Sequence, residues 1–227
     1  MCSLSGRRGT GILPLALVLF LAACMFSAPG CGGKTAEKAA EEQGTQDEER
    51  ATGPGTGTGG RVLLVIAPHD FNDREYAETR EELEAGGLTV VVASTGAEEA
   101  TGSEGTAVKP DLALSGARAG DYVAVAFIGG VGVEELFTDA HALRLARDAY
   151  EGGLTVGAIC MAPVILARAG ILEGRRATST PSVAGDLEEG GAIYVDRNVV
   201  VEGRIVTGCG PQASVEFGRA LAENVGR

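Results

Sequence analysis

Three largely apolar runs, separated by helix-compatible segments, limit what this chain can fold into more than any other feature. They span Val62–Ala67, Tyr122–Ile128 and Leu154–Ile159. A strand that is apolar on both faces is typical of a parallel sheet covered by helices. Because strand-like and helix-like segments alternate, the sequence predicts an α/β fold, a doubly wound, mostly parallel sheet with helices on both faces.

Capping residues mark the ends of the predicted helices. The first is predicted over Arg74–Ala85, with Asn72 or Asp73 as its N-cap and two glycines as its stop. Thr138 is predicted to cap a helix over 139–150. Residues 68–73 are predicted to form a polar loop, and a Gly/Thr-rich loop follows residue 93. The remaining predicted elements are strands at 88–93, 111–114, 192–195, 199–202 and 204–207, an extended stretch at 176–180, and helices at 164–169, 182–189 and 212–224.

The formal net charge of −12 over 227 residues argues against binding nucleic acid through a basic face. The domain holds two cysteines, Cys160 and Cys209, and the chain has two histidines, His69 and His141. Neither a C-x-x-C pair nor a Cys/His cluster is present, so we expect no metal site and no cofactor.

Residues 1–23 are typical of a signal peptide, with two arginines followed by an apolar run of twelve residues that is too short to span a bilayer. The sequence that ends in Cys24 resembles a bacterial lipobox, whose cysteine is lipidated. Cys31 is a poorer lipidation site because Pro29 precedes it. An ordinary secretory signal is the alternative.

After the first few positions, residues 24–60 contain no apolar side chain large enough to build a hydrophobic core, and they end in a Gly/Thr-rich stretch. Such a composition predicts a disordered tether from lipidated Cys24 to a domain over 61–227. This organisation predicts an exported protein of the cell envelope, lipid-anchored to a membrane.

A cysteine lies where the third apolar run meets a helix. Cys160 follows two small residues, Gly157 and Ala158, as a sharp strand-to-helix turn requires. The unpaired backbone N–H groups at a helix start favour thiolate over thiol. The alternative is a buried structural cysteine.

The carboxyl ends of parallel strands meet at one edge of a sheet, and sites form there. This rule brings Cys160 together with the loop that contains His69, with Glu75, and with Gly130 after the second apolar run. Glu75 is a candidate proton donor or acceptor for the thiol, or else a solvated acid at a helix start. Gly130 is a candidate oxyanion donor, or else a tight turn.

Together these stretches resemble the DJ-1/PfpI superfamily, from residue 61 to the C-terminus. The matched segments are 71–75, 122–130, 157–163, 177–181 and 206–211. The resemblance implies a flavodoxin-like fold, a readily oxidised elbow cysteine at Cys160, a contacting Glu75, an oxyanion loop at Gly130, and a homodimer.

Two departures from the family pattern concern histidines. Met161 stands where peptidase-like members carry the histidine after the cysteine, and Thr180 stands where DJ-1 itself places one before a proline. His69 is the candidate substitute, although a solvated loop histidine is the alternative. Cys209 lies in a loop that in family members approaches the elbow cysteine, so the two thiols are candidates for pairing.

The resemblance implies a cysteine acting on a small-molecule substrate, a small carbonyl or acyl compound, as in glyoxalase-like and hydrolase-like members. The alternative is a non-catalytic domain that senses an oxidant through a thiol of low pKa, or that binds a small ligand. A PfpI-like peptidase is the weaker alternative, because it most needs an imidazole base.

Overall fold

A computed structural model describes residues 59–226. The predicted signal peptide, the lipidation sites Cys24 and Cys31, and residues 24–58 of the tether lie outside the described residues. Within 59–226, no helix combines the length and apolar character needed to cross a membrane.

The described residues form twelve strands and five α-helices. In chain order they are β1 (Arg61–Val65), β2 (His69–Phe71), α1 (Asp73–Ala85), β3 (Thr89–Ser94), β4 (Ala100–Gly102), β5 (Ala107–Val108), β6 (Leu112–Ala113), β7 (Ala124–Phe127), α2 (Ala140–Glu151), β8 (Thr155–Ile159), α3 (Pro163–Arg168), β9 (Arg176–Ala177), α4 (Ala184–Glu189), β10 (Ile193–Tyr194), β11 (Val199–Glu202), β12 (Ile205–Gly208) and α5 (Ser214–Asn224).

Seven strands form the central sheet, in the order β11-β12-β8-β7-β1-β3-β6. Every neighbouring pair is parallel except β11 and β12, which are antiparallel. The central strands β1, β7 and β8 are the three apolar runs of the sequence. The predicted α/β architecture with a mostly parallel sheet is therefore confirmed.

Successive side chains of the central strands point alternately into two apolar layers, one on each face of the sheet, as a sheet buried on both faces requires. On one face, Val62 and Leu64 belong to a cluster that includes Phe217 of α5. On the other face, Leu63 belongs to a cluster that includes Leu145 of α2. Helices α1 and α5 therefore cover one face, while α2, α3 and α4 cover the other.

Two sequence predictions need correction. Residues 69–71, expected in a loop, form β2, which pairs with β4 of a small β2-β4-β5 sheet. Strands of two or three residues carry no periodicity that a sequence pattern reveals. Thr138 does not cap α2; the carboxylate of Asp139 does, since it accepts from the backbone N–H groups of His141 and Ala142 at 2.9 and 2.8 Å.

Candidate active site

Cys160 lies at a strained turn directly after β8. Its backbone φ is 65°, in the left-handed region that costs a residue with a Cβ roughly 1–2 kcal/mol. The Cys160 N–H donates to the Gly208 carbonyl, and its own carbonyl accepts from the Thr180 N–H, each at 2.9 Å. These bonds hold the turn in place, so that the thiol is presented at the carboxyl edge of the sheet.

Glu75 is the buried carboxyl group of the site. It lies in the first turn of α1, where Asn72 caps the helix by accepting the Glu75 N–H at 3.0 Å, and it is fully buried. Its Oε2 accepts the Gly129 N–H at 3.0 Å. Its Oε1 is also buried and makes no regular hydrogen bond. The neighbouring Cys160 thiol is the group that interacts with this carboxyl.

Gly129 is the point at which the acid and the thiol meet. A Cβ atom built on Gly129 would lie 2.4 Å from Cys160 Cβ and 2.7 Å from Glu75 Oε2. Both distances are far below van der Waals contact, so only glycine leaves room for the two side chains. The structure thus places the Cys160 and Glu75 side chains next to each other, as the sequence led us to expect.

Burial sets the protonation of both groups. It raises the pKa of Glu75 to about 7, against the opposing effects of the Cys160 thiol and the Gly129 N–H. Burial is also the largest cause that raises the pKa of Cys160 to about 12; the neighbouring Glu75 charge contributes to this rise, whereas the Gly130 and Met161 N–H groups oppose it. The predicted amide effect is thus present, but the expected net preference for thiolate is wrong.

Gly130 adopts a φ of 109°, at the start of a 3₁₀ helix over Val131–Phe137. A Cβ atom at this position would lie 2.4 Å from the Asp70 carbonyl oxygen, so the loop requires glycine here. The N–H groups of Gly130 and Met161 both act on the Cys160 sulfur. Two amides therefore converge on the sulfur.

The other candidate residues have different surroundings. His69 is exposed, and its ring nitrogens lie 3.2 Å from Asp70 and 3.6 Å from Glu135, so that its partners are carboxylates. Met161 is half-buried and packs against the apolar layer beneath α2 and α3. Thr180 supports the elbow through its backbone N–H. Within residues 59–226, the thiol and the acid are not joined by an imidazole.

Cys209 follows the end of β12 and is partly exposed. Its sulfur accepts from Gln212 Nε2 at 3.1 Å and lies 3.9 Å from Asn198 Oδ1. Cys160 and Cys209 are both free. Among the described residues, no group of three His, Cys, Asp or Glu side chains is arranged to hold a metal.

Asp73, which the sequence suggested only as an alternative N-cap of the first helix, supports the neighbouring hairpin instead. Its Oδ2 accepts from the Glu104 N–H at 2.7 Å and from Ser103 Oγ at 3.2 Å, and its Oδ1 accepts from the Thr106 N–H at 2.9 Å. Desolvation acts to raise its pKa, but the hydrogen bonds from Thr106 and Glu104 outweigh it and lower the pKa to about 2. Asp73 thereby fastens the β4–β5 hairpin to the start of α1, beside the site.

The α/β fold, the cysteine at the strand-to-helix turn and the buried glutamate beside it define a class of α/β proteins with a cysteine at a nucleophile elbow, and the comparison with protein families agrees with this class. The family model described as the DJ-1/PfpI family matches residues 60–224. The chain belongs to the DJ-1/PfpI family.

Relatives extend this result. The chain is 40% identical over 161 residues to an uncharacterised protein of Methanocaldococcus jannaschii, covering 70% of this chain and 78% of that protein. It is 30% identical to a glutathione-independent glyoxalase of Caenorhabditis elegans, covering 72% and 88% of the two chains. It is 33% identical to a deglycase of Pyrococcus abyssi, covering 64% and 87%.

Solved structures are similar in fold as well. A ThiJ/PfpI domain protein from Brachyspira murdochii has a TM-score of 0.71 and 33% identity, and covers 72% of this chain and 95% of its own. Drosophila melanogaster DJ-1beta has a TM-score of 0.68 and 30% identity, covering 74% and 90%. The flavodoxin-like architecture implied by the family resemblance is therefore confirmed.

Proposed function

We propose that this protein is a cysteine-dependent enzyme that acts on small carbonyl compounds, with Cys160 as nucleophile and Glu75 as general acid and base. One observation carries the proposal: a fully buried carboxyl group interacts with the elbow thiol and has one oxygen without a regular hydrogen bond. A group with a pKa near neutrality is well placed to accept and return a proton.

The first step uses these atoms alone. The Cys160 thiol transfers its proton to ionised Glu75, and the sulfur forms a bond to the carbonyl carbon of the substrate. The carbonyl π electrons move to oxygen, which is stabilised by the Gly130 and Met161 N–H groups. Glu75 then returns the proton to that oxygen, giving a neutral hemithioacetal from an aldehyde.

The fate of this adduct distinguishes the two reaction types. A glyoxalase-like reaction moves hydrogen between adjacent carbons of a dicarbonyl before water releases the product, whereas a hydrolase-like reaction expels a leaving group from an acyl substrate. The relatives named glyoxalase and deglycase favour carbonyl chemistry. The lack of an imidazole beside the described thiol leaves the proton transfers to Glu75 and makes a peptidase the weakest version.

Turnover of methylglyoxal, and separately of amide and peptide substrates, tests the proposal. Wild type is expected to convert methylglyoxal, and Cys160→Ser is expected to lose that activity. Glu81→Gln is the matched control, since Glu81 is an exposed acid of the same helix. Equal turnover by wild type and Cys160→Ser would remove the cysteine from the mechanism.

A non-catalytic thiol that reacts with an oxidant, or a ligand-binding domain, is the second candidate. It is favoured by Met161 and Thr180, which occupy the positions of the two family histidines. This candidate predicts that Cys160 is oxidised by peroxide while neither methylglyoxal nor acyl substrates turn over. The same assays therefore decide between the two.

The N-terminal sequence adds a proposal about location. The lipobox-like residues 21–24 and the tether support an exported, lipid-anchored protein of the cell envelope. Expression of the full chain in a bacterium, with membrane fractionation and metabolic labelling with a fatty acid, tests this. Wild type is expected in the membrane fraction with label, and Cys24→Ala without it; label retained by Cys24→Ala would favour Cys31.

A further inference from the structure

We propose that Cys209 is a resolving thiol, which captures peroxide-oxidised Cys160 as an intramolecular disulfide. The inference requires the reactive Cys160 of the proposed function, but it requires no carbonyl turnover. It assigns a chemical role to the second cysteine of the domain, and a hydroperoxide is the class of reactant.

Strand register brings the two cysteines together. Ile159, the last residue of β8, is paired with Gly208, the last residue of β12, so Cys160 and Cys209 directly follow the ends of two neighbouring parallel strands. The Cys160 N–H donates at 2.9 Å to the Gly208 carbonyl, whose carbon is bonded to the Cys209 nitrogen. Neighbouring strands lie roughly 4.8 Å apart, and disulfides join Cα atoms roughly 4.4–6.8 Å apart. Because the two cysteines directly follow paired strand ends, we expect their Cα atoms to lie within this range.

The side chains need a local rotation before they bond. In the reduced protein the Cys160 thiol faces Glu75, while the Cys209 sulfur is held by Gln212 and Asn198. The Cys209 contacts are two hydrogen bonds at a partly exposed position, so a rotation about its Cα–Cβ bond breaks little packing. Cys209 is therefore the mobile partner, and Cys160 is the fixed one.

The reaction balances with one peroxide. Glu75 accepts the Cys160 proton, and the sulfur attacks the peroxide, breaking the O–O bond to give a sulfenic acid. The alkoxide or hydroxide that leaves takes the proton back from Glu75 and is released as an alcohol or water. The Cys209 sulfur then attacks the Cys160 sulfur, expelling the hydroxyl group, which leaves as water with the Cys209 proton. Two thiols are oxidised by two electrons in total, and one peroxide is reduced.

The chemical consequence is protection of the elbow. A sulfenic acid that lacks a resolving thiol is oxidised further to sulfinic acid, which ordinary thiol reductants do not reverse. A disulfide to Cys209 stops the oxidation at a level that a dithiol restores. The Cys160 site would be switched off by peroxide and recovered on reduction.

The test uses the full chain treated with hydrogen peroxide, alkylated, and digested with trypsin without reduction. Cleavage after arginine places the two cysteines in separate peptides, 148–168 and 205–219. Wild type is expected to yield these two peptides as one linked species, with loss of both free thiols, and dithiothreitol is expected to restore them. Cys209→Ser is expected to yield Cys160 as sulfinic acid that dithiothreitol does not restore. Cys31→Ser, which changes a cysteine outside the domain, is the control and should still give the linked species.

The opposite results overturn the inference. Unlinked peptides from oxidised wild type, or equal recovery of the Cys160 thiol in wild type and Cys209→Ser, would show that Cys209 does not resolve Cys160. Because the mapping uses no carbonyl substrate, unlinked peptides alongside normal methylglyoxal turnover refute this inference alone. A linked species without any turnover refutes the proposed enzyme and leaves the disulfide standing.

Discussion

Replacing Glu75 with glutamine should make the protein more stable and less reactive at the same time. The carboxyl group is fully buried, and only one of its oxygens has a regular hydrogen bond. A glutamine of similar shape keeps an oxygen for the Gly129 N–H and places an NH₂ group beside the Cys160 sulfur. It therefore removes a buried charge with little change in packing.

The pKa of Glu75 gives the size of the stability effect. Burial raises that pKa from 4.5 to about 7, which corresponds to about 3 kcal/mol of destabilisation for the ionised form in the folded protein. Between these two pH values the folded state holds a proton that the unfolded state has lost, so wild-type stability falls as pH rises through this window. Glu75→Gln should gain up to about 3 kcal/mol above pH 7 and almost nothing below pH 4.5.

Urea denaturation at pH 8 and at pH 4 measures this difference, with Glu81→Gln as the control. At pH 8 the gain corresponds to a rise in Tm of roughly 6–12 °C for a domain of this size. Turnover of methylglyoxal should fall about a hundredfold or more, since positioned general bases typically contribute that much. Wild-type reactivity should rise with pH through about 7, as Glu75 becomes able to accept the thiol proton.

A costly buried charge at Glu75 is refuted if Glu75→Gln is no more stable than wild type at pH 8, or if the gain is the same at both pH values. The first result would mean that ionisation of the Glu75 carboxyl group does not destabilise the folded protein. The second would mean that the gain comes from packing and not from charge. Unchanged turnover in the stabilised variant would remove Glu75 from the mechanism and leave it with a structural role.

Three further results are expected. Gly129→Ala should destabilise the fold by about 1–3 kcal/mol, since its Cβ would lie 2.4 Å from the Cβ of Cys160. Gly116→Ala is the control and should be close to neutral, because a Cβ there meets nothing within 4 Å. Equal unfolding free energies of the two variants would contradict this. Cys160→Gly should be about 1 kcal/mol more stable than Cys160→Ala, because only glycine relieves a φ of 65°; a thermal melt of the two variants compares them directly. Asp73→Asn should lower the free energy of unfolding by roughly 1–2 kcal/mol at pH 7. Because the pKa of Asp73 is lowered from 3.8 to about 2, the stabilisation by its carboxylate is fully present above pH 3.8 and is lost as pH falls through 2. The urea midpoints of the variant and wild type should therefore converge near pH 2.

The parts of the fold that the sequence predicted are those with a strong local pattern. The apolar runs of β1, β7 and β8 needed no long-range information, and Asn72 stood at the helix start where a capping residue belongs. Cys160 was placed at the correct edge of the sheet because parallel strands end there together. The family motifs then singled out Glu75 among several acidic neighbours.

Other features depend on contacts that no local pattern encodes. The β4 and β5 strands lie in a Gly/Thr-rich stretch, and they are held by the Asp73 carboxylate from 30 or more residues away. The direction in which the pKa of Cys160 shifts depends on the balance between burial, which raises it, and the backbone N–H groups, which lower it. A sequence shows that both effects exist, but it does not give the burial that decides between them.

The first turn of α1 carries three attachments within four residues. Asn72 closes the helix end, Asp73 secures the hairpin, and Glu75 reaches the Gly129 loop and the thiol. Adding one residue within this turn would rotate every side chain after the insertion by about 100° around the helix axis relative to those before it, so that the three attachments could not all form. Insertions and deletions should therefore be excluded both here and at the hairpin tip, where Ser103, Glu104 and Thr106 bind Asp73. Substitutions at the three positions of the turn should combine non-additively in double-mutant cycles.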